Sequence, residues 1–189
     1  IDNGEFGKLI FGVVLLGKSR SQKYYDDAEG WKKRKESAGG GVLLFNGVHY
    51  LDILQWMFGE VKEVSAMTSL LTHNLEVEDT GGILMKFQSG ALGVVAATTS
   101  LSFNIPDRFE VYGSKFSVVI EGGRVVKSYR KNKIYSFIDS SLQKCVPRKI
   151  GNIQNQIQNF VDFLEKKDKL AVSGEDGLKA LHLLEKVYK

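Results

Sequence analysis

One histidine in this sequence stands where it could move a proton. His49 lies in the stretch Gly39–Gly59, GGGVLLFNGVHYLDILQWMFG. Imidazole is the side chain whose ordinary titration spans neutral pH, so it suits general acid–base work. Three glycines open the stretch, and no side chain there bars close approach of a ligand or a second backbone. After Asn46 and Gly47 the spacing is helical. Phe45, His49, Asp52 and Trp56 fall on one stripe, and Val48, Leu51, Leu54 and Phe58 form a neighbouring apolar stripe that can face a core. Gly59 sits where a helix-ending glycine is favoured. A helix histidine with a satisfied hydrogen bond in the core is the competing reading for His49. Asp52 reads as structural and Trp56 as core. His73 and His182 read as surface or packing residues. The three histidines are far apart and no carboxylates are paired with them, so the sequence points to no metal site.

The rest of the chain must hold that helix in place. Lys8–Leu16 is an apolar, β-branched run and predicts a buried strand. Gly17–Gly30 is polar and predicts a loop, continued by Trp31 and the basic run Lys32–Lys35. Further strands are expected at Val61–Thr72, Asp79–Phe87, Ala91–Leu101, Arg108–Tyr112, Phe116–Glu121 and Arg124–Tyr129, with an edge strand at Lys133–Ile138. Gln88-Ser89-Gly90 and Gly122-Gly123 are hairpin turns. Cys145–Gly151 is a linker, and two amphipathic helices close the chain. The first carries Ile153, Ile157, Phe160, Val161 and Leu164; the second carries Leu178, Leu181, Leu184 and Tyr188, with Ser173 as N-cap. The pattern predicts an α+β fold: a large, mostly antiparallel open sheet covered on one face by three helices. The uncovered face, with Thr98, Ser100 and small residues, is a candidate for pairing with another subunit.

The chain has 189 residues, 43% apolar and 25% charged, with a net charge of +4. This suits one globular domain that tolerates anionic ligands, with no nucleic-acid partner called for. The basic runs read as solvated loops. Cys145 is the only cysteine, which leaves no intramolecular disulfide and fits a cytoplasmic location. No apolar run approaches the ~18 residues of a membrane span. Ile1-Asp2-Asn3-Gly4 reads as the end of a helix capped by glycine, so an N-terminal part is expected to be missing.

Taken together, GGGVLL, GVHYLDILQWMFG, VEDTGGILMKFQSGALGVVAATTS and DRFEVYGSK closely resemble the C-terminal domain of the glucose–fructose oxidoreductase, inositol dehydrogenase and MocA family. The resemblance covers nearly the whole chain. It implies one C-terminal substrate-binding and oligomerisation domain over 1–189, belonging to a longer enzyme. The absent N-terminal Rossmann domain would hold NAD or NADP, the glycine-rich phosphate loop and the catalytic lysine. No cofactor is expected for the fragment alone, and no activity. The resemblance places the family's proton-transfer histidine at His49. The family often has Asp or Asn four residues earlier, where this chain has Phe45; the neighbouring Asn46 is the substitute. Tyr25 and Lys32 fall in the loop that the family places at the sugar site, and Lys32 suits a carboxylate or phosphate. Asn152, at the head of an amide-rich helix start, suits sugar hydroxyls, and N-capping explains it equally well.

The expected function is the substrate and oligomerisation domain of an NAD(P)-dependent dehydrogenase acting on a sugar, polyol or nucleotide-sugar hydroxyl, as a homo-oligomer built through the open sheet face. The alternative is a non-catalytic binding or scaffolding module with the same fold, which Phe45 motivates. A general anion or nucleic-acid binder rests only on the basic loops. No membrane partner is expected.

Overall fold

The computed structural model describes residues 3–130, 133–136 and 153–188. Its centre is an eight-stranded open sheet. The strands are β1 (Leu9–Gly17), β2 (Val61–Ser69), β3 (Thr80–Phe87), β4 (Leu92–Thr98), β5 (Arg108–Gly113), β6 (Phe116–Glu121), β7 (Arg124–Arg130) and β8 (Lys133–Ser136). Their order is β2-β3-β4-β1-β5-β6-β7-β8. Every neighbouring pair is antiparallel except β1 and β4, which run parallel with Val13 opposite Val94. Successive side chains of a strand point to opposite faces, so each strand splits between two surfaces. The helix-facing set includes Val14 and Leu16, Ile83, Met85 and Phe87, and Val95 and Ala97, all buried. Gly122 and Gly123 have φ of 54° and 77°, which a type I′ hairpin turn requires and which only glycine adopts freely.

The helices are α1 (Gln22–Asp26), α2 (Lys35–Ala38), α3 (Val48–Phe58), α4 (Ile153–Leu164) and α5 (Gly174–Val187). α3 lies on the sheet through the apolar stripe expected of it. Leu51 and Leu54 are fully buried and Phe58 stacks on Phe87 at 5.1 Å. A Cβ on Gly12 would meet Leu54 at 2.7 Å, so glycine there lets the helix settle onto the strand. α5 packs against α3 and β2 through Ala180, Leu183 and Leu184. Ser173 caps it: its hydroxyl accepts from the Asp176 N–H, and the Asp176 carboxylate accepts from the Ser173 N–H.

The fold class expected from the pattern holds, with differences in detail. The polar Gly17–Gly30 segment contains α1 and the start of a 3-10 turn, Ala28–Lys33, where a loop was expected. α4 does not cover the sheet. Ile157, Phe160, Val161 and Leu164 are exposed, so α3 and α5 supply the cover instead of three helices. On α5 the buried side is set by Ala180, Leu183 and Leu184, and Leu178 and Leu181 stay half exposed. A helix stripe about 100° wide can be drawn through either set, and the small Ala180 lets the second come closer. Trp56, read as core, is 81% exposed. The Cys145–Gly151 linker, Asn152 and the end of the Lys133–Ile138 strand lie outside the described residues.

The opposite sheet face carries Leu15, Leu84, Leu92 and Met67, all exposed. On its other wing Glu110 is buried and accepts hydrogen bonds from the Arg108 guanidinium and the Tyr112 hydroxyl. The hydrogen bond to Glu110, with burial, pushes the Tyr112 phenol up to about 12. Among the described residues no helix is long and apolar enough to cross a membrane.

Candidate functional site

The helix that bears His49 begins in an unusual way. Its entry, Leu43–Gly47, is a π-helical turn that runs directly into α3. Such a turn admits an extra residue, so the register of α-helical spacing does not carry through it. No local side chain caps this start. A distant one does: Glu78, at the foot of β3, accepts the N–H of Gly41 at 2.9 Å and of Leu43 at 3.0 Å through its carboxylate. Its backbone carbonyl accepts the Val42 N–H at 3.0 Å. A carboxylate suits this place because the first N–H groups of a helix are unpaired and carry partial positive charge. Gly41 must be glycine, since a Cβ there would lie 1.8 Å from the Glu78 carbonyl oxygen. Tyr188, just past α5, donates its hydroxyl to Glu78 at 2.7 Å. Burial and this bond to a carboxylate both raise the Tyr188 phenol far above its usual range.

His49 therefore sits on a well-anchored helix, on its outward side. It is exposed, and among the described residues no hydrogen bond engages its ring. The stripe of Phe45, His49, Asp52 and Trp56 is solvent-facing throughout. Asn46 is half-buried in the π-turn. The next residue, Tyr50, points the other way and donates to Asp107 at 3.1 Å. Asp107 also pairs with Lys18 at the end of β1. Burial, with the Asp107 charge beside it, pushes the Tyr50 phenol up to about 12.

The loop after β1 flanks this helix. Trp31 meets Phe45 edge-on at 5.7 Å. Lys32 lies with its Nζ 3.8 Å from the Tyr24 ring centroid. Tyr25 is buried; its hydroxyl donates to the Thr99 hydroxyl at 2.7 Å, and its ring meets His73 edge-on at 4.9 Å. Of the residues singled out from sequence, Lys32 reaches the entry of the His49 helix through Trp31, whose ring meets Phe45. Tyr25 is buried against Tyr24, over whose ring Lys32 lies. Asn152 lies outside the described residues.

Sequence reasoning missed the buried pair below Tyr25. His73 is almost fully enclosed, with Nδ1 2.9 Å from Asp79 and Nε2 3.0 Å from the Arg20 carbonyl oxygen. Asp79 is completely buried. It accepts from the N–H groups of Leu71 and Thr72, both at 3.0 Å. Burial alone would raise the Asp79 carboxyl. The bonds from Thr72, His73 and Leu71 outweigh it and hold that carboxyl well below the ordinary carboxylate range. The six-residue spacing of His73 and Asp79 falls in a loop, where no helical or strand periodicity marks a pair. Glu78 was equally hidden, because its partners lie 35 and 37 residues away. Among the described residues no group of three His, Cys, Asp or Glu is arranged to hold a metal ion.

Residues 1–119 match the family model of the GFO/IDH/MocA C-terminal domain, and the chain belongs to that family. It is 29% identical over 150 residues to the myo-inositol 2-dehydrogenase of Thermotoga maritima, covering 76% of this chain and 45% of that one. It is 24% identical over 195 residues to the inositol 2-dehydrogenase of Rhizobium meliloti, covering 97% of this chain and 54% of that one. Among solved structures it superposes on the WlbA dehydrogenase of Chromobacterium violaceum, in complex with NADH and UDP-GlcNAcA, with a TM-score of 0.82 and 30% identity. That match covers 99% of this chain and 53% of the other. The chain spans about half the length of the curated relatives it matches.

Two outcomes follow from this geometry. Replacing Glu78 by Ala frees two helix N–H groups and the Tyr188 hydroxyl, and should cost about 1–3 kcal/mol in urea unfolding. An unchanged unfolding midpoint would remove Glu78 as the cap. The depressed Asp79 carboxyl contributes stability that is fully present above its unfolded pKa of about 3.9 and is lost as pH falls below it. Asp79→Asn should therefore be less stable at neutral pH and lose less on acidification, as read from melting temperature against pH.

Proposed function

We propose that this chain is the substrate-binding and oligomerisation half of an NAD(P)-dependent dehydrogenase acting on a sugar, polyol or nucleotide-sugar hydroxyl. The observation that carries this reading is the placement of His49: exposed, free of hydrogen bonds among the described residues, and mounted on a helix anchored at its start by Glu78. An exposed imidazole on a fixed helix suits contact with a ligand held from outside. A core histidine would instead be enclosed and bonded, as His73 is. The dehydrogenase names of the relatives and the NADH and UDP-GlcNAcA held by the WlbA structure support the same reading.

NAD or NADP, held by a separate dinucleotide-binding domain, would supply the hydride acceptor, and on this chain His49 would take the proton of the substrate hydroxyl. Phe45, four residues before His49, carries no polar group, and Asn46 beside it in the π-turn takes the role of orienting substrate in this reading. A cytoplasmic site of action agrees with a chain whose single cysteine is Cys145. In a polypeptide carrying this chain and its dinucleotide-binding domain, His49→Ala should lower turnover by roughly 10²–10⁴-fold. Its melting temperature should stay unchanged, because the ring is exposed and unbonded. Wild-type turnover in that variant would end the proton-transfer role of His49, and absence of turnover in the unsubstituted polypeptide would favour a non-catalytic module.

The oligomer part of the proposal rests on the uncovered sheet face. Leu84 is 50% exposed and Met67 85% exposed, side by side with Leu92 and Leu15 on adjacent strands. A contiguous apolar surface of this kind on a sheet is suited to burial against its copy. Light scattering should report an oligomer for the wild type and a smaller species for Leu84→Lys. Identical masses for the two would move the interface elsewhere.

A further inference from the structure

His73 is enclosed between two groups that can only accept a hydrogen bond. Its Nδ1 lies 2.9 Å from an Asp79 carboxylate oxygen, and its Nε2 lies 3.0 Å from the Arg20 carbonyl oxygen. The side chains of His73 and Asp79 are both buried. Asp79 is held ionised by the N–H groups of Leu71, Thr72 and His73, all of which donate to it. An ionised carboxylate has no proton to give, and a peptide carbonyl has none either.

A neutral imidazole carries one N–H. With that hydrogen on Nδ1, the Nε2 lone pair would face the Arg20 carbonyl oxygen at 3.0 Å. With it on Nε2, the Nδ1 lone pair would face Asp79 at 2.9 Å. The Thr72 hydroxyl is 3.1 Å from Nδ1 and 2.8 Å from the Ser100 hydroxyl, and it does not separate Nδ1 from Asp79. The imidazolium, with a hydrogen on each nitrogen, makes both contacts favourable. A buried charge is tolerated where it is paired and hydrogen-bonded, as this one is.

The surroundings of the ring leave Asp79 as the anion that faces it. From α1, Tyr25 meets the ring edge-on at 4.9 Å, and burial raises its phenol, so it stays uncharged. From the segment after β4 come the Thr99 and Ser100 hydroxyls, bonded to Tyr25 and Thr72. From the segment after β1 comes Arg20, whose guanidinium lies 4.9 Å from the Tyr24 ring centroid. The contact at Nε2 therefore ties that segment to the turn before β3, across 53 residues. Gln22 reinforces the tie, accepting the Asn74 N–H at 2.8 Å. Further along, the same segment brings Trp31 against Phe45 at the entry of the His49 helix.

We propose that His73 is a proton-operated latch: with both ring nitrogens protonated it pins residues 20–27 to the turn before β3, and loss of the Nε2 proton to solvent as the pH rises releases them. The Nδ1 proton stays, because the carboxylate is the stronger acceptor. The bared Nε2 lone pair then opposes the Arg20 carbonyl oxygen. The latch stands on the contacts of His73 and requires no particular substrate.

The test is ¹⁵N NMR of this chain from neutral to alkaline pH, reading the ring nitrogens of His73 with the exposed His49 and His182 as references. At neutral pH both His73 nitrogens should give protonated signals. On raising the pH, the Nε2 signal alone should move to its deprotonated position. The Tyr24 and Tyr25 amides and the Trp31 indole should shift at that same midpoint, and the Trp56 indole should stay still. In His73→Gln, which has no titrating ring, those shifts should vanish; if that variant does not fold, the wild-type titration decides alone. A neutral His73 ring at neutral pH, in either tautomer, would overturn the latch. So would a ring that keeps both protons until the chain unfolds, a His73 titration that leaves Tyr24, Tyr25 and Trp31 unmoved, or the same shifts in the folded Gln variant.

Discussion

The carboxylate of Glu78 is the contact on which the candidate site depends. A helix start leaves unpaired N–H groups, and an ordinary cap comes from the residue just before it. Here the preceding residues are Val42 and, before it, Gly39–Gly41, none of which supplies a polar side chain. The cap comes instead from the foot of β3, together with a carbonyl oxygen from the same residue. The helix entry is thereby tied to the sheet, and the close approach this needs is possible only because Gly41 has no Cβ. Tyr188 completes the knot from the end of α5, against a Gly40 that likewise has no room for a side chain. Glycines that first suggested access for a ligand are, in this fold, positions where backbone and side chains from elsewhere press in.

That knot fixes how α3 divides its two stripes. Leu51, Leu54 and Phe58 go into the core with β1 and β3, and His49, Asp52 and Trp56 are left facing out. The same division runs through the sheet. One face is filled by α3 and α5, and the other keeps Leu15, Leu84, Leu92 and Met67 in water. A domain organised in this way presents one polar, histidine-bearing surface and one apolar strand surface.

Much of this was legible from periodicity. The strands, the glycine hairpins, the Ser173 cap and the buried stripe of α3 follow from local rules, and the structure agrees. Choices between two faces of one element were harder. Trp56 shares a stripe with His49, and nothing local says that the stripe faces out. Leu178 and Leu181 looked like core, yet α5 turns Ala180 and Leu183 inward because a small residue permits closer packing. Contacts between distant segments were out of reach altogether. Glu78, Asp79 and His73 acquire their roles from partners brought together by the sheet.

The position of β1 has a consequence for how the chain acquires its shape. β1 comes first among the strands of this sheet in chain order and lies inside it, paired with β4 on one side and β5 on the other. The hairpins β3–β4, β5–β6 and β6–β7 close over short turns and can form as soon as they are synthesised. β1 must wait for strands that emerge long after it, and closing such a distance is the slow kind of step in β-rich folding. Until then an apolar strand, Leu9–Gly17, has both edges unpaired, which makes it the segment most in need of protection on a nascent chain.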